Sequence, residues 1–338
     1  MKLWGIVDGV YRLRGPGQAW LRGLLQLLQP ELERGLGMGA YFFDARASPA
    51  FVTSELTAVG VSDQELALIG QILQQTQSPN ERTRRVLALR DGCGTASEIM
   101  TRRLFRSMPS LDALSRASKI RDFFGLIATD ASGLGCVVNV CLPAETTTTA
   151  AVRRRWGRVA AHIAAALRLR RAMASVTAGE GDASSLAEAI FDDRGRLQHL
   201  APAVYDAAGR EQLARGVRRR ERARARLHRL DPDDAVAEWS ALVAGRWSLV
   251  DEVESDGRRF VIAHRNPVAV PPLARLTREQ ASVLGLALLG HSNKLIAYEL
   301  GISEASVAMR LGRAGRTLGA TSRVALLRRV SELLGRER

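Results

Sequence analysis

The chain has 338 residues, with 49 Lys and Arg against 35 Asp and Glu, for a formal net charge of +14. That length suits two or three domains, each able to bury its own core. Hydrophobic residues make up 46%, and no run approaches the ~18 apolar residues of a membrane span, which argues against a membrane protein.

The first residues, MKLWGIVDGVYRLRG, lack the apolar core and small-residue cleavage site of a signal peptide, so the expected location is cytoplasmic. Lysine occurs only at Lys2, Lys119 and Lys294, so the positive charge is almost all arginine. From Leu273 onward eleven Arg and Lys face five Glu, and between Arg210 and Arg229 nine arginines face two glutamates. Arginine-rich surfaces favour phosphate, although the second run reads equally well as a solvated helix face. The three cysteines, Cys93, Cys136 and Cys141, form no CxxC pair, which disfavours zinc and a disulfide framework. Cys136 and Cys141 sit in an apolar strand-like run and are expected to be small core residues.

Along the chain, residues 18–32 predict an amphipathic helix interrupted near Pro30. Strands are expected over 37–44 and 50–59, with a turn at 47–49. Ser62 caps a helix running to Leu73, and residues 97–108 carry a further helical pattern. DFFGLIATD, the turn from Asp130 to Gly133 and LGCVVNVCLP read as a hairpin. A long helix follows over 149–173, with Val152, Trp156, Val159, Ile163, Ala166 and Arg170 on one face. His162 lies on that helix among alanines, where a polar partner or a surface position is the expected role. This order of elements over residues 1–173 resembles a GAF-type α+β sensory domain. The long helix then suits either a connector pairing across a dimer or a terminal helix on its own sheet.

Residues 174–185 are small and polar, as in a linker. A smaller unit covers 186–266: a strand over 187–191, a turn at 192–195 and a second strand through His199. Helical patterns follow over 203–230, and Pro232 opens a helix expected to reach Leu242. A second hairpin turns at Asp256-Gly257, and His264 at its end reads as structural. Two strands, helices and a terminal hairpin resemble a degenerate PAS-type α+β domain. Residues 267–273 then form a proline-rich spacer.

The segment 274–338 is predicted to hold four helices: 278–289, 293–300, 304 to about 318, and 322–334. Ser292 caps the second, Gly301 ends it, Ile302 fills the turn and Ser303 caps the third. Two short helices joined in this way form a helix-turn-helix, whose second helix enters the major groove. Leu276-Thr277, Val283-Leu284, Gly290, Ser292-Asn293-Lys294, Ile296-Ala297, Leu300-Gly301-Ile302-Ser303, Val307, Leu318-Gly319 and Ser322-Arg323 resemble the LuxR/GerE-type domain in one register. Gln280, Ala308, Arg310 and Thr317 stand where that family usually has Glu, Lys, His and Lys. Gly312 and Gly315 interrupt the third helix, each costing roughly 0.8–1.0 kcal/mol against Ala.

Lys294 is placed for a phosphate. Ser303 opens the third helix and Ser306, Met309 and Arg310 follow toward base edges, with Arg310 able to pair bidentately with guanine. Arg313 and Arg316 fall toward the backbone, while Val307, Leu311, Ala314 and Leu318 form an inward stripe. The resemblance implies dimerisation through the fourth helix at Val324, Leu327, Val330 and Leu334, and half-sites about 10 bp apart.

No phosphate-binding loop, dinucleotide fingerprint, nucleophile elbow or HExxH motif is present, nor the acidic pair, Asp and Lys of a phospho-accepting regulator. Trp20, Tyr41, Phe42 and Asp44 do not reproduce the aromatic and Asp spacing of acyl-homoserine-lactone receptors. The sequence therefore predicts a multidomain, one-component transcription regulator that is not an enzyme and carries no cofactor, metal or catalytic residue. Its expected partners are double-stranded DNA, a second copy of the chain, RNA polymerase and an unidentified small-molecule effector. The alternative is a protein-interaction regulator with a degenerate helix-turn-helix and only nonspecific DNA affinity.

Overall fold

The computed structural model describes residues 3–44, 52–76, 90–99, 109–130, 132–175, 187–204, 206–226, 232–253, 257–266, 268, 270, 273 and 275–336. Helices α1 (Leu3–Arg12) and α2 (Gly17–Leu32) open the fold. The first was not anticipated, although Leu3, Ile6, Val7 and Val10 recur at helical spacing and are all buried. The second is not interrupted at Pro30. That proline lies in the last turn, and Leu32 beyond it is still buried.

Strands β1 (Met38–Asp44) and β2 (Val52–Val59) follow, the expected turn between them lying outside the described residues. Helix α3 (Asp63–Thr76) begins at a reciprocal cap in which Ser62 N–H donates to Glu65 and Glu65 N–H to Ser62 Oγ. After it come β3 (Cys93–Thr95), the short α4 (Ala96–Ile99) and α5 (Pro109–Ala117). The helical pattern expected to Met108 falls beyond Ile99 outside the described residues, and α5 was not foreseen.

The hairpin β4 (Asp122–Thr129) and β5 (Leu134–Leu142) completes an antiparallel sheet ordered β2-β1-β5-β4-β3. Alternation along its strands divides the core. Phe124, Leu126, Val138 and Val140 join the cluster containing α1, α2 and α6 (Ala150–Ser175). Phe123 and Cys141 meet Ile72 and Leu114 of α3 and α5 on the other face. Cys136 and Cys141 are buried and unpaired, and burial pushes both thiols up to about 12.

Helix α6 is the axis of the molecule. From Val159 to Leu169 it is buried all round, because the alanines at 160, 161, 164, 165 and 166 let neighbours approach closely. Over that stretch its surface is occupied by its own chain rather than by a second copy.

The second sheet is ordered β7-β6-β9-β8, from β6 (Ala187–Phe191), β7 (Leu197–Leu200), β8 (Trp247–Val253) and β9 (Arg259–Arg265). Helix α7 (Ala207–Arg226) packs Leu213 and Val217 against it. Its arginines are not one solvated face. Arg220 is buried, 4.4 Å over the Trp239 ring and 2.6 Å from Asp251. Helix α8 (Pro232–Glu238) stops short of Leu242, since the chain beyond it turns to meet the C-terminal helices. Those are α9 (Arg278–Leu288), α10 (Asn293–Leu300), α11 (Glu304–Thr317) and α12 (Arg323–Arg336). Their apolar side chains belong to the same buried cluster as α1, α2 and α6.

Candidate nucleic-acid interface

Each C-terminal helix starts where a side chain satisfies its free amides. Gln280 N–H donates to Thr277 Oγ1 at 3.3 Å, and Thr277 N–H donates to Gln280 Oε1 at 3.0 Å. Glutamine thus completes the reciprocal cap in the place where the resembling family has Glu. Leu295 N–H donates to Ser292 Oγ, and Ser306 N–H to Ser303 Oγ. Gly301 ends α10 in the left-handed region, with φ 64°. Val283, Leu284, Ile296, Leu300, Val307 and Ala314 fill the space between the helices. The result is two short helices joined by a tight turn, with α9 behind them.

The outer face of α10 is clasped by the rest of the chain. Tyr298 Oη donates to Val236 O at 2.8 Å and lies 2.8 Å from His162 Nε2. That nitrogen is also 3.0 Å from Trp239 O, and Nδ1 is 2.9 Å from Tyr11 Oη. The network closes when Nε2 carries the proton and Tyr11 donates to Nδ1. Burial pulls His162 down to about 3, helped by the Arg220 charge, so the ring is neutral. Beside it, Arg168 Nη2 lies 3.3 Å from the buried Glu299 Oε1, and Arg168 Nε donates to Asn266 Oδ1 at 3.3 Å. Leu242 and Gly245 N–H donate to Glu299 O and Leu300 O, satisfying carbonyls at the end of α10. A Cβ at Gly301 would stand 2.1 Å from Leu242 O. Glycine is required there by both the turn and the close approach.

Helix α11 faces outward. Ala305, Ala308, Gly312, Arg313 and Arg316 are exposed, as is Met309 at 46%. Lys294 is exposed in the first turn of α10. Lys294, Met309, Arg313 and Arg316 are therefore all presented to solvent. Ser303 and Ser306 are engaged in the cap, their hydroxyls 2.8 Å apart. Arg310 is half-buried, lining a cleft of roughly 320 Å³ with Arg278, Glu279 and Ser282 of α9 and with Arg246 and Arg265 from the second sheet unit.

The dimerisation stripe expected on α12 is divided. Val330 is fully buried with Leu326 in the molecule's own core, so it offers no surface to a second copy. Leu327 packs half-buried on that core, and Val324 stands out at 77% exposure. The side chain of Leu334 lies outside the described residues.

Sequence reasoning missed a group of arginines that the fold brings beside Lys294. Arg153, Arg154 and Arg158 of α6 and Arg219 of α7 line a second cleft, of roughly 290 Å³, with Ser292 and Lys294. The run at 153–155 was visible as charge, but its position beside α10 depends on docking.

Capped helices, a glycine-closed turn and an outward basic helix define a helix-turn-helix module. Residues 274–330 match the model of the family described as bacterial regulatory proteins, luxR family (GerE), which supports a DNA-binding transcription regulator in general. No curated protein matches the chain. Among the described residues, no helix is long and apolar enough to cross a membrane.

Proposed function

We propose that the chain is a one-component transcription regulator that reads duplex DNA through α11 under the control of its upstream units. The observation that carries this reading is the division of the module into a clasped face on α10 and an open basic face on α11. The DNA-contacting set is Lys294, Ser303, Ser306, Met309, Arg310, Arg313 and Arg316, with the two serines holding the helix start. The five-stranded antiparallel sheet supports a GAF-like unit over 1–173, and the four-stranded sheet with α7 supports a PAS-like unit over 186–266. Residues 174–185 and 267–273 are the connectors, and 274–338 is the DNA-binding unit. Dimerisation uses the outer flank of α12 around Val324, and RNA polymerase and a small-molecule effector complete the set of partners. The protein works in the cytoplasm and performs no catalysis.

Selection of binding sites from a random duplex library at near-physiological salt tests the reading. Enrichment of an inverted repeat is expected. Arg310→Ala should relax preference at one base pair by about 1–3 kcal/mol, the worth of a bidentate contact. Ala308 and Gly312 favour a second reading, because they leave the middle of the exposed face without hydrogen-bonding side chains. A protein-interaction regulator of that kind would bind duplex weakly, with no enrichment and no effect of Arg310→Ala.

A further inference from the structure

The cleft beside α10 holds more positive charge than the fold itself uses. Arg154, Arg158, Arg219 and Lys294 line it, and among the described residues none of the four forms an ion pair. Arg158 is positioned over the Tyr298 ring at 5.3 Å, which holds its guanidinium in the lining of the cleft. Arg153 is already engaged, donating to Thr148 O at 2.6 Å and lying 3.6 Å from Glu98. Two acids share the lining. Asp91 is occupied by the Ser292 N–H at 2.9 Å, and Glu304 stands exposed in the first turn of α11, where a carboxylate complements the helix dipole. The comparable cleft around Arg310 differs, for there Glu188 pairs with Arg246 at 3.0 Å and approaches Arg265 at 3.9 Å.

We propose that Arg154, Arg158 and Arg219 extend the phosphate-binding edge of the helix-turn-helix, so that the sensory body and α10 hold the DNA backbone together. The inference rests on the DNA-binding reading and deepens it. Three features select a duplex backbone as occupant. The cleft includes Lys294 and reaches the start of α11, next to the proposed DNA-contacting set. Arg154, Arg219 and Lys294 are exposed where they line it, which suits a long polyanion more than an enclosed small one. Duplex DNA also carries one charge per ~1.7 Å of axis, so a row of cations can neutralise it contact by contact. The consequence is that the docked arrangement is the DNA-binding one, because undocking α10 would separate Lys294 from the body's arginines.

The test is the salt dependence of full-length protein binding to a duplex of arbitrary sequence, followed by fluorescence anisotropy. Arg154→Ala/Arg219→Ala removes two exposed cations without disturbing the core. It should weaken binding equally on every sequence and flatten the log–log salt slope by about 1 per lost contact, roughly 2 for the pair. Arg154→Lys/Arg219→Lys should restore the slope. In parallel, Lys294→Ala reports the module's own contact and should cost about 1 unit of slope. If Lys294→Ala weakens binding while the double Ala variant leaves affinity and slope unchanged, the body lies off the DNA; the inference falls and the DNA-binding reading stands. If the unaltered protein does not bind duplex even at low salt, both fall together.

Discussion

At the residue scale, His162 is held as a neutral imidazole because each of its ring nitrogens has a partner and water is excluded. Its folded value of about 3 lies below the ordinary 6.5. An unfolded chain therefore takes up a proton that the native chain refuses. Stability from this site is full above pH 6.5 and is lost as pH falls through 6.5 toward 3. His264, held at about 4 by burial and by Arg14, adds loss of the same sign over the upper part of that range. The melting temperature should fall between pH 7 and pH 4.5, and His162→Gln should flatten that fall while lowering stability at pH 7. An unchanged pH slope in the variant would show that the ring is not the source. Asp251 behaves oppositely in cause. Burial pushes it up, but the Arg220 hydrogen bond and the charges of Arg220, Arg224 and Arg259 prevail and hold it at about 2. Its contribution is lost only below about pH 4, as the carboxylate titrates toward its folded value.

At the element scale, the two glycines of α11 have different reasons to be there. A Cβ at Gly312 would meet only Arg316 Nη1, at 3.9 Å. Nothing in the structure of the chain alone requires glycine at that position. Gly312→Ala should gain about 0.8–1 kcal/mol of helix propensity, read as a higher midpoint in urea. A Cβ at Gly315 would stand 3.1 Å from Ala320 O, beneath the turn where Ala320 N–H donates to Gly315 O at 2.8 Å. Gly315→Ala should forfeit the same gain through the forced shift of that turn. Equal midpoints for the two variants would refute the distinction.

At the scale of the whole molecule, the DNA-binding unit is joined to the body by buried polar contacts as well as by apolar packing. The Arg168–Glu299 pair ties α6 to α10, with both side chains nearly excluded from water. Removing one partner strands the other charge, a loss of roughly 3–5 kcal/mol. Glu299→Ala should destabilise the full chain by about that amount and raise hydrogen exchange in α10 before it does so in the first sheet. Unaltered exchange in α10 would mean that the pair does not hold the clasp. Tyr298, Trp239 and Tyr11 surround the same junction, so substitutions there are expected to couple with Glu299→Ala rather than add.

The four C-terminal helices were legible within a residue or two at most of their ends, the middle pair because local signals mark them: Ser292 and Ser303 open the two helices and Gly301 closes the first. The two hairpins were legible for the same reason, through alternation and turn residues. Helix α1 is hard to discern in sequence because its periodic run is only ten residues long and carries no acidic residue in its first turn. Helix α8 ended early because Leu242 and Gly245 give their amides to α10, a competition that no local pattern records. The candidate DNA contacts could be named from position on α10 and α11, but their exposure could not. Val330, expected at a dimer surface, packs inward, and Arg220, within a run that reads as surface charge, lies in the core. Local hydrogen bonds and hydrophobic period determine which helices and strands form, and they involve residues a few positions apart. What covers α10, and which arginines stand beside Lys294, is decided by side chains separated by scores to hundreds of residues, such as Tyr11, His162, Trp239 and Tyr298. Those groups lose water and find partners only when the whole chain closes around α6.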